Sequence, residues 1–255
     1  MKRGVFTATL LLALCGCSGD FTEDPSLVKR LRILSIAAEP PGLAPGNSTT
    51  LSALVADPRG GGRAIDHLWA ICVPLFGLPP DTPVNESLCA NPASWFVLGT
   101  GATISYTVPA GFLDGLDAAQ RATGLDVSIV LEVTAGGDRH DAVKRVHVAE
   151  GAPFDRNPSV VALRIDGVDP GAGGTASVAW GSTVSISADV TDPDGGSGVV
   201  EIYVTAGHLE SPQTSPGAND FWTLSGTPPA EAWVYAVTRD GAGGNGWTSR
   251  RVAVP

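Results

Sequence analysis

Alternation of apolar and polar residues with a period of two is the feature that most limits what this chain can fold into. It is clearest at residues 125–133, where every second residue is apolar and the residues between are mostly polar. Residues 183–191 repeat the pattern. Because successive side chains of a strand point to opposite faces of a sheet, both segments predict antiparallel strands with one face in a core and one in water.

Composition favours many short strands joined by turns. The 255 residues include 32 glycines and 20 prolines, yet 43% of the chain is hydrophobic. A disordered chain would carry far less apolar material, because it has no core to fill.

The chain also repeats itself weakly. Residues 32–62 and 160–197 each contain a strand, an acidic residue followed by proline, a second strand and a turn rich in Asp, Pro and Gly. Each copy would span about 100–120 residues with roughly seven strands, the size of an immunoglobulin-type sandwich. We therefore predict an all-β chain of two tandem immunoglobulin-like antiparallel β-sandwiches.

The predicted divisions of the chain follow from these patterns. Residues 18–30 have few apolar side chains to bury. Between the copies, Gly151, Pro153 and Pro158 interrupt the strand pattern. The predicted divisions are a signal peptide (1–16), a flexible tether (17–30), sandwich 1 (31–150) with an insertion (73–94), a linker (151–158) and sandwich 2 (159–255).

The N-terminus has the layout of a secretory signal. Lys2 and Arg3 precede an apolar run at residues 5–14. A membrane-spanning helix needs about 20 apolar residues, and this run has about half that number. The run itself therefore cannot be a permanent anchor.

Residues Leu14, Cys15, Gly16 and Cys17 resemble the lipobox of bacterial lipoproteins. The resemblance implies cleavage after Gly16 and acylation of Cys17, with palmitate among the expected chains, and hence a lipid-anchored cell-envelope protein. Ser18 in place of an aspartate implies, by the sorting rule of that family, the outer membrane. Plain secretion with cleavage elsewhere is the alternative.

Cysteine usage predicts one disulfide. Once Cys15 leaves with the signal and Cys17 carries lipid, Cys72 and Cys89 are the pair that remains, and an oxidising compartment favours their bond. Closing this loop is worth about 3 kcal/mol in the chain-entropy model. Trp69 lies three residues before Cys72, so in a regular strand the two face opposite sides. If Trp69 is in the core, the bond staples the insertion onto the sandwich; a reactive or metal-binding cysteine pair is the alternative.

A second resemblance lies in the later copy. Residues 233–237, followed by the Gly- and Asn-rich stretch 240–245, look like the end of a bacterial Ig-like or cadherin-like repeat, and the turn at 192–196 is similar to a turn of those repeats. The first copy departs from this pattern at residues 73–94 and at 112–123, where we expect a short helix.

Charge limits the partners. The net charge is −10, and removal of Lys2 and Arg3 with the signal makes the mature chain more acidic. Nucleic acid and anionic lipid both need clustered Lys and Arg, so neither is expected as a partner. The expected partners are the membrane, through the lipid anchor, and an envelope protein or glycan.

No catalytic residue is predicted, and we expect no enzyme. The histidines His67, His140, His147 and His208 are scattered, and no HExxH sequence, nucleophile elbow or phosphate loop accompanies them. A hydrolase with unrecognised residues is the remote alternative.

One acidic constellation predicts a structural calcium ion as the only possible cofactor. Loops at one end of the second sandwich would bring their carboxylates close to the linker, and calcium takes six to eight oxygen ligands. The alternative is ordinary turn chemistry of Asp and Asn. The candidate ligands are Asp192, Asp194, Asp240, Asp155, Asn157 and Glu150.

The sequence favours a non-catalytic binding, adhesion or spacer module. Residues 73–94 and 207–220 are the candidate contact segments, because long loops on rigid sandwiches commonly carry binding. The alternative is a structural subunit of an envelope assembly, with strand edges or Trp95, Trp222 and Trp247 at an interface.

Overall fold

The computed structural model describes residues 24–60, 63–80, 86–151, 153–196, 198–229 and 231–255. The predicted signal peptide and Cys17 lie outside the described residues. Within these ranges, no helix is long and apolar enough to cross a membrane.

The first sandwich consists of two sheets. Its strands are β1 (Arg32–Glu39), β2 (Gly42–Leu43), β3 (Ser48–Ala56), β4 (Asp66–Leu78), β5 (Trp95–Thr100), β6 (Thr103–Thr107), β7 (Leu125–Ala135) and β8 (Asp138–Val148). One sheet has the order β1-β3-β6 and the other the order β2-β8-β7-β4-β5. Helix α1 (Ala118–Thr123) confirms the second half of the predicted helical segment; it begins where the Asp117 carboxylate accepts the Gln120 N–H at 2.8 Å.

The second sandwich also has two sheets. Its strands are β9 (Ser159–Ile165), β10 (Thr175–Ser177), β11 (Thr183–Thr191), β12 (Val199–Val204), β13 (His208–Leu209), β14 (Gln213–Thr214), β15 (Asp220–Thr223), β16 (Glu231–Arg239) and β17 (Asn245–Ala253). The sheet orders are β10-β17-β16-β12-β14 and β13-β15-β11-β9.

The two sandwiches share one topology. In each, a short strand after the first long one crosses to the other sheet and pairs in parallel with the last strand, β2 with β8 and β10 with β17. The remaining named strand pairs are antiparallel, as predicted. The all-β fold with two tandem immunoglobulin-like sandwiches is confirmed.

Each sandwich has a fully buried tryptophan in its core. The Trp69 indole N–H donates to the Gly101 carbonyl at 2.8 Å, and the Trp222 N–H donates to the Ala206 carbonyl at 2.9 Å. Both side chains are 0% exposed. Trp222 therefore belongs to the second core, and its predicted place at an interface is wrong.

The disulfide between Cys72 and Cys89 is confirmed, and so is the parity argument. Trp69 packs in the first core, whereas both cysteines pack with Val130 on the opposite face of the sheet. The staple therefore covers the outer face of β7, where Ser128 is also buried. The prediction that one face of this strand meets water is wrong at these positions, because a covalently held segment lies over them.

Part of the predicted tether is hydrogen-bonded to the second sandwich. The Val28 N–H donates to the Val204 carbonyl at 2.8 Å, and the Val204 N–H donates to the Ser26 carbonyl at 2.9 Å. Val28 is buried. Residues 24–28 are thus attached to β12 of the second sandwich; composition missed this contact because the partner strand lies far away in sequence.

The sandwiches pack on one another through an apolar cluster, which we call the junction cluster. Apolar side chains of β1 and β3 meet those of β16 there, together with Val28. Trp247 packs against the same cluster, so it belongs to an interface within the chain. The buried members are Val28, Leu34, Ala56, Tyr235 and Val237.

Polar side chains of the linker and second sandwich complete this contact at the free edge of β1. Arg239 Nη2 donates to the Leu34 carbonyl at 3.2 Å, and Asn245 Nδ2 donates to the Ile36 carbonyl at 2.6 Å. Asn157 Nδ2 donates to the Ala38 carbonyl at 2.7 Å. Three alternate carbonyls of an edge strand are therefore paired across the junction.

Candidate functional site

Three of the six predicted calcium ligands lie together beside the linker, and we call them the acidic junction: Asp155, Asp194 and Asp240. Asp155 is in the linker, Asp194 in the turn after β11 and Asp240 at the end of β16. The Asp240 Oδ1 accepts backbone N–H groups from residues 242–244 at 2.8–3.0 Å. The structure therefore brings these two loops close to the linker, as the sequence analysis predicts.

The carboxyl groups of Asp155 and Asp194 at the acidic junction differ in pKa. Burial and the adjacent Asp240 carboxylate raise the pKa of Asp155 to about 6. The Oδ2 atoms of Asp155 and Asp240 are buried, and neither accepts a hydrogen bond from the described residues. Arg156 binds Asp194 through its guanidinium at 2.9 Å and lowers the pKa of that carboxyl. A proton held between Asp155 and Asp240 would satisfy both oxygens.

A buried lysine of the first sandwich reaches this site. Lys144 on β8 donates through Nζ to the Gly243 carbonyl. Burial lowers the pKa of Lys144 to about 8, and the Asp240 carboxylate acts in the opposite direction. The hairpin between β16 and β17 is thereby fixed to the first sandwich.

The other predicted ligands have different partners. Asp192 accepts the N–H groups of Asp194 and Gly196, both at 2.9 Å, within its own turn. Glu150 pairs with Arg121 at 2.8 Å. Asn157 Oδ1 accepts the Asn245 N–H at 2.9 Å. Over the described ranges, no group of three or more His, Cys, Asp and Glu side chains is arranged to hold a metal ion; calcium binding by these residues stays a prediction.

Exchange of Asp155 for asparagine is expected to stabilise the chain at pH 7.5 and to have little effect near pH 3.5, below the ordinary pKa of an aspartate. The folded chain holds the Asp155 proton up to about pH 6, whereas the ordinary value is 3.8. The free energy of unfolding therefore falls as the pH rises between these values, and asparagine removes that loss. Because the side chain is partly exposed, we expect about 1 kcal/mol, or roughly 2–4 °C in melting temperature.

The control for this measurement is Asp141→Asn, because Asp141 is an exposed carboxylate on β8. Its melting temperature should follow the wild type at both pH values. A lower melting temperature of Asp155→Asn at pH 7.5, or a shift of the same size at both pH values, would contradict the proton-sharing arrangement.

A second candidate site is an apolar groove at the edge of the first sandwich, which we call the β5 groove. It has a volume of about 470 Å³ and lies where the edge strands β5 and β6 of the two sheets diverge. None of its lining side chains is charged. They are Ile71, Val73, Phe76, Phe96, Leu98, Ser105, Tyr106, Thr107 and Pro109.

Exposed apolar side chains surround this groove. Phe96 is 63% exposed, and Val73 and Val97 are each 56% exposed. The Phe76 ring meets the Phe112 ring edge-on, with centroids 5.0 Å apart, which fixes one wall. A concentration of exposed apolar groups on one edge marks an interaction surface.

The groove also contains one buried polar group without a partner. Tyr106 is 5% exposed, and its hydroxyl has no hydrogen-bond partner among the described residues. Burial raises its pKa, so the phenol stays protonated and can donate. The Tyr106 ring packs in the first core, and its hydroxyl is buried behind the groove lining.

The stapled segment supports β5 from the other side. Single turns of 3₁₀ helix at Glu86–Cys89 and Pro92–Ser94 lead into the strand. The Trp95 indole N–H donates to the Cys89 carbonyl at 2.7 Å, which links the first residue of β5 to the disulfide. The predicted contact segment 73–94 thus adjoins the groove, and residues 81–85 of it lie outside the described residues.

The other predicted contact segment, residues 207–220, is more structured than expected. Strand β13 pairs with β15 and β14 pairs with β12. Leu209 is buried in the second core, and the Asp220 carboxylate accepts the Ser211 N–H at 2.8 Å. Residues 215–219 remain exposed between β14 and β15.

Two histidines pair with distant aspartates, which sequence spacing did not show. His147 Nδ1 lies 3.0 Å from Asp126 Oδ1 on the neighbouring strand, and His208 Nδ1 lies 2.9 Å from Asp24 Oδ2. Both contacts join residues brought together only by the fold. They fix strand β8 to β7 and the start of the chain to the second sandwich.

Comparisons with known proteins give structural resemblance alone. No protein-family model and no curated protein matches the chain. Three domains of the outer capsid protein Hoc of bacteriophage RB49 share 12% identity at a TM-score of 0.27, over 88% of this chain and 69% of that chain. The Ig1-2 module of Drosophila DLAR shares 11% at 0.29, over 89% and 99%. Murine CEACAM1b shares 13% at 0.24, over 89% and 100%. Resemblance at these scores carries no function to this chain.

Proposed function

We propose that this protein is a lipid-anchored cell-envelope lipoprotein that acts as a non-catalytic binding module. Its occupant is an extended, uncharged segment of an envelope protein, held in the β5 groove. The single observation that supports binding is this groove, which combines an uncharged lining with exposed aromatic rings.

The anchor is supported by the N-terminal sequence. The lipobox resemblance assigns acylation to Cys17, and the bond between Cys72 and Cys89 removes the other thiols of the mature chain. More than one acyl chain holds a protein on a membrane firmly. Ser18 favours the outer membrane.

An extended peptide fits the groove because β5 is an edge strand. β5 pairs with β4 on one side, and the sheet ends there. The sequence WFVLGT of this strand has no charge or proline, the usual protections of a free edge. A strand added at this edge would place alternate side chains into the groove.

Charge selects the occupant. The chain as a whole is acidic, at −10, so two copies repel one another over most of their surface. No charged side chain lines the groove, so an ion bound there would lose water without gaining an oppositely charged partner. A glycan would require several polar groups here. An uncharged peptide therefore fits better than a second copy, a charged peptide or a sugar.

The alternative of a structural subunit has support in the same strand, because a permanent neighbour would also pair with β5. Such a neighbour would bury the groove continuously instead of exchanging. Nothing in the described residues favours the hydrolase alternative.

Selection from a library of random decapeptides against the folded chain tests the groove. We expect enriched peptides to be uncharged with alternating apolar residues, and to protect the β5 amides from hydrogen exchange. Phe96→Ser should weaken their binding by about tenfold or more, because it removes an exposed ring at the centre of the contact.

The matched control is Phe221→Ser on the second sandwich, where Phe221 is 47% exposed; it should bind like the wild type. Three results would contradict the proposal. They are enrichment of charged peptides or of none, unchanged binding by Phe96→Ser, and a dimer in sedimentation that Phe96→Ser dissociates, which would assign the groove to a second copy.

A further inference from the structure

Most arginine side chains in the described part of the chain are paired with carboxylates. Arginines on both sandwiches form ion pairs with Asp or Glu, several of them at 2.6–3.0 Å. Lys29 and Arg30 are different. Both are exposed, and neither has an ion pair or hydrogen bond among the described residues.

A third cation stands beside them. The Arg32 guanidinium lies 5.1 Å from the centre of the Tyr203 ring and donates to the Pro25 carbonyl. These contacts fix its position, and no carboxylate of the described residues forms an ion pair with it. Lys29, Arg30 and Arg32 line one recess of about 270 Å³ with Asp24 and His140, and we call this surface the basic entry face.

The basic entry face lies where the described chain begins. Residues 24–28 are held on β12 by backbone hydrogen bonds, and Asp24 binds His208. Residues 17–24 span at most about 25 Å when fully extended. The unpaired cations are therefore close to the start of the segment that leads back to Cys17.

Net charge and charge distribution lead to opposite expectations for a membrane. The total of −10 argues against contact with anionic lipid. Electrostatic attraction to a membrane surface acts only within about a Debye length, roughly 8 Å at physiological salt. Charges on the face nearest the bilayer therefore decide the orientation of an anchored protein, whereas acidic groups on remote faces are screened.

We infer that the basic entry face contacts the phosphates of anionic lipid headgroups and thereby holds the anchored protein in one orientation. This inference rests on the proposed anchoring through Cys17. Asp24 offsets only one of the three positive charges, so the face keeps a net charge of +2 from Lys29, Arg30 and Arg32 against Asp24.

The lysine content of the chain gives a direct readout. The mature chain has two lysines, and Lys144 is only 7% exposed. Lys29 is therefore the side chain that an amine-reactive acetylating reagent modifies, and Lys144 is an internal reference for intact folding. Acetylation at each position is measured by mass spectrometry of proteolytic fragments.

The experiment uses a chain that begins at Cys17, coupled through that thiol to a maleimide lipid in vesicles. This coupling makes the test independent of natural acylation, so failure of the proposed anchoring and failure of this inference are separate results. Vesicles of phosphatidylcholine are compared with vesicles containing about 30% phosphatidylglycerol, a typical anionic fraction for such tests.

We expect acetylation of Lys29 to fall by about threefold or more on the anionic vesicles, and to recover in about 0.5 M NaCl, where charges are screened. Arg30→Glu should abolish the protection. Arg251→Glu makes the same charge change at a distant exposed position and should leave it intact.

Equal acetylation of Lys29 on both kinds of vesicle would overturn the inference. So would protection by inorganic phosphate alone on phosphatidylcholine vesicles, because the face would then be a site for the free anion. Unchanged protection in Arg30→Glu would also overturn it.

Discussion

Replacement of Trp222 by alanine is expected to lower the free energy of unfolding of the second sandwich by about 3–5 kcal/mol. The side chain is 0% exposed and is among the largest fully buried groups of the chain. Its removal leaves a cavity between the two sheets and also leaves the Ala206 carbonyl without the indole donor at 2.9 Å. Trp69→Ala should have a similar effect on the first sandwich, where the donor contact is to Gly101.

Urea unfolding followed by circular dichroism measures this loss, and the neighbouring residue supplies the control. Phe221 precedes Trp222 on β15 and faces the other way, 47% exposed. Phe221→Ala should therefore reduce the free energy of unfolding by under about 1 kcal/mol. Equal losses for the two variants would show that Trp222 does not occupy the core.

Exchange of Cys17 for serine is expected to move nearly all of the protein from the membrane fraction to the soluble envelope fraction. Each buried methylene of an acyl chain contributes about 0.8 kcal/mol, so two or more chains give an anchor that rarely dissociates. Serine cannot be processed and acylated in the same way.

Cys15→Ser is the matched control, because it changes a cysteine two residues away and leaves Cys17 in place. It should remain in the membrane fraction, and the intact mass of its mature chain should include the acyl groups. A Cys17→Ser chain that stays membrane-bound, or a wild-type mass without acyl groups, would contradict the proposed anchoring.

Local sequence signals predicted much of the fold. Period-two alternation located β11 at Thr183–Thr191. The spacing of Trp69 and Cys72 placed their side chains on opposite faces because strand parity is a local property. The weak repeat predicted two units with the same strand order, since each unit must pair its own strands.

Local sequence patterns could not predict contacts between segments that lie far apart in the sequence. Alternation could not show that the outer face of β7 is covered, because the cover is a segment held by a disulfide. Polar composition assigned residues 24–30 to a tether, although their backbone pairs with β12. The β5 groove is formed by side chains from three strands and by Pro109, two residues after β6, so no continuous motif encodes it.

The acidic junction was predicted only in part, because its residues come from segments that lie far apart in the sequence. Turn chemistry located Asp194 and Asp240 in loops at one end of the second sandwich, and the fold brings them to Asp155. The role of Lys144 was missed, because it comes from the other sandwich and meets the site only through the junction.

The hydrogen-bonded carbonyls of β1 limit aggregation through this strand when molecules are crowded. Lipid-anchored molecules diffuse in two dimensions at high local density, where bare strand edges readily join into fibrous aggregates. Side chains at positions 157, 239 and 245 already fill the acceptors at Leu34, Ile36 and Ala38. If the proposed anchor holds the protein on a bilayer, adjacent molecules cannot polymerise through this edge of β1 unless the two sandwiches first separate.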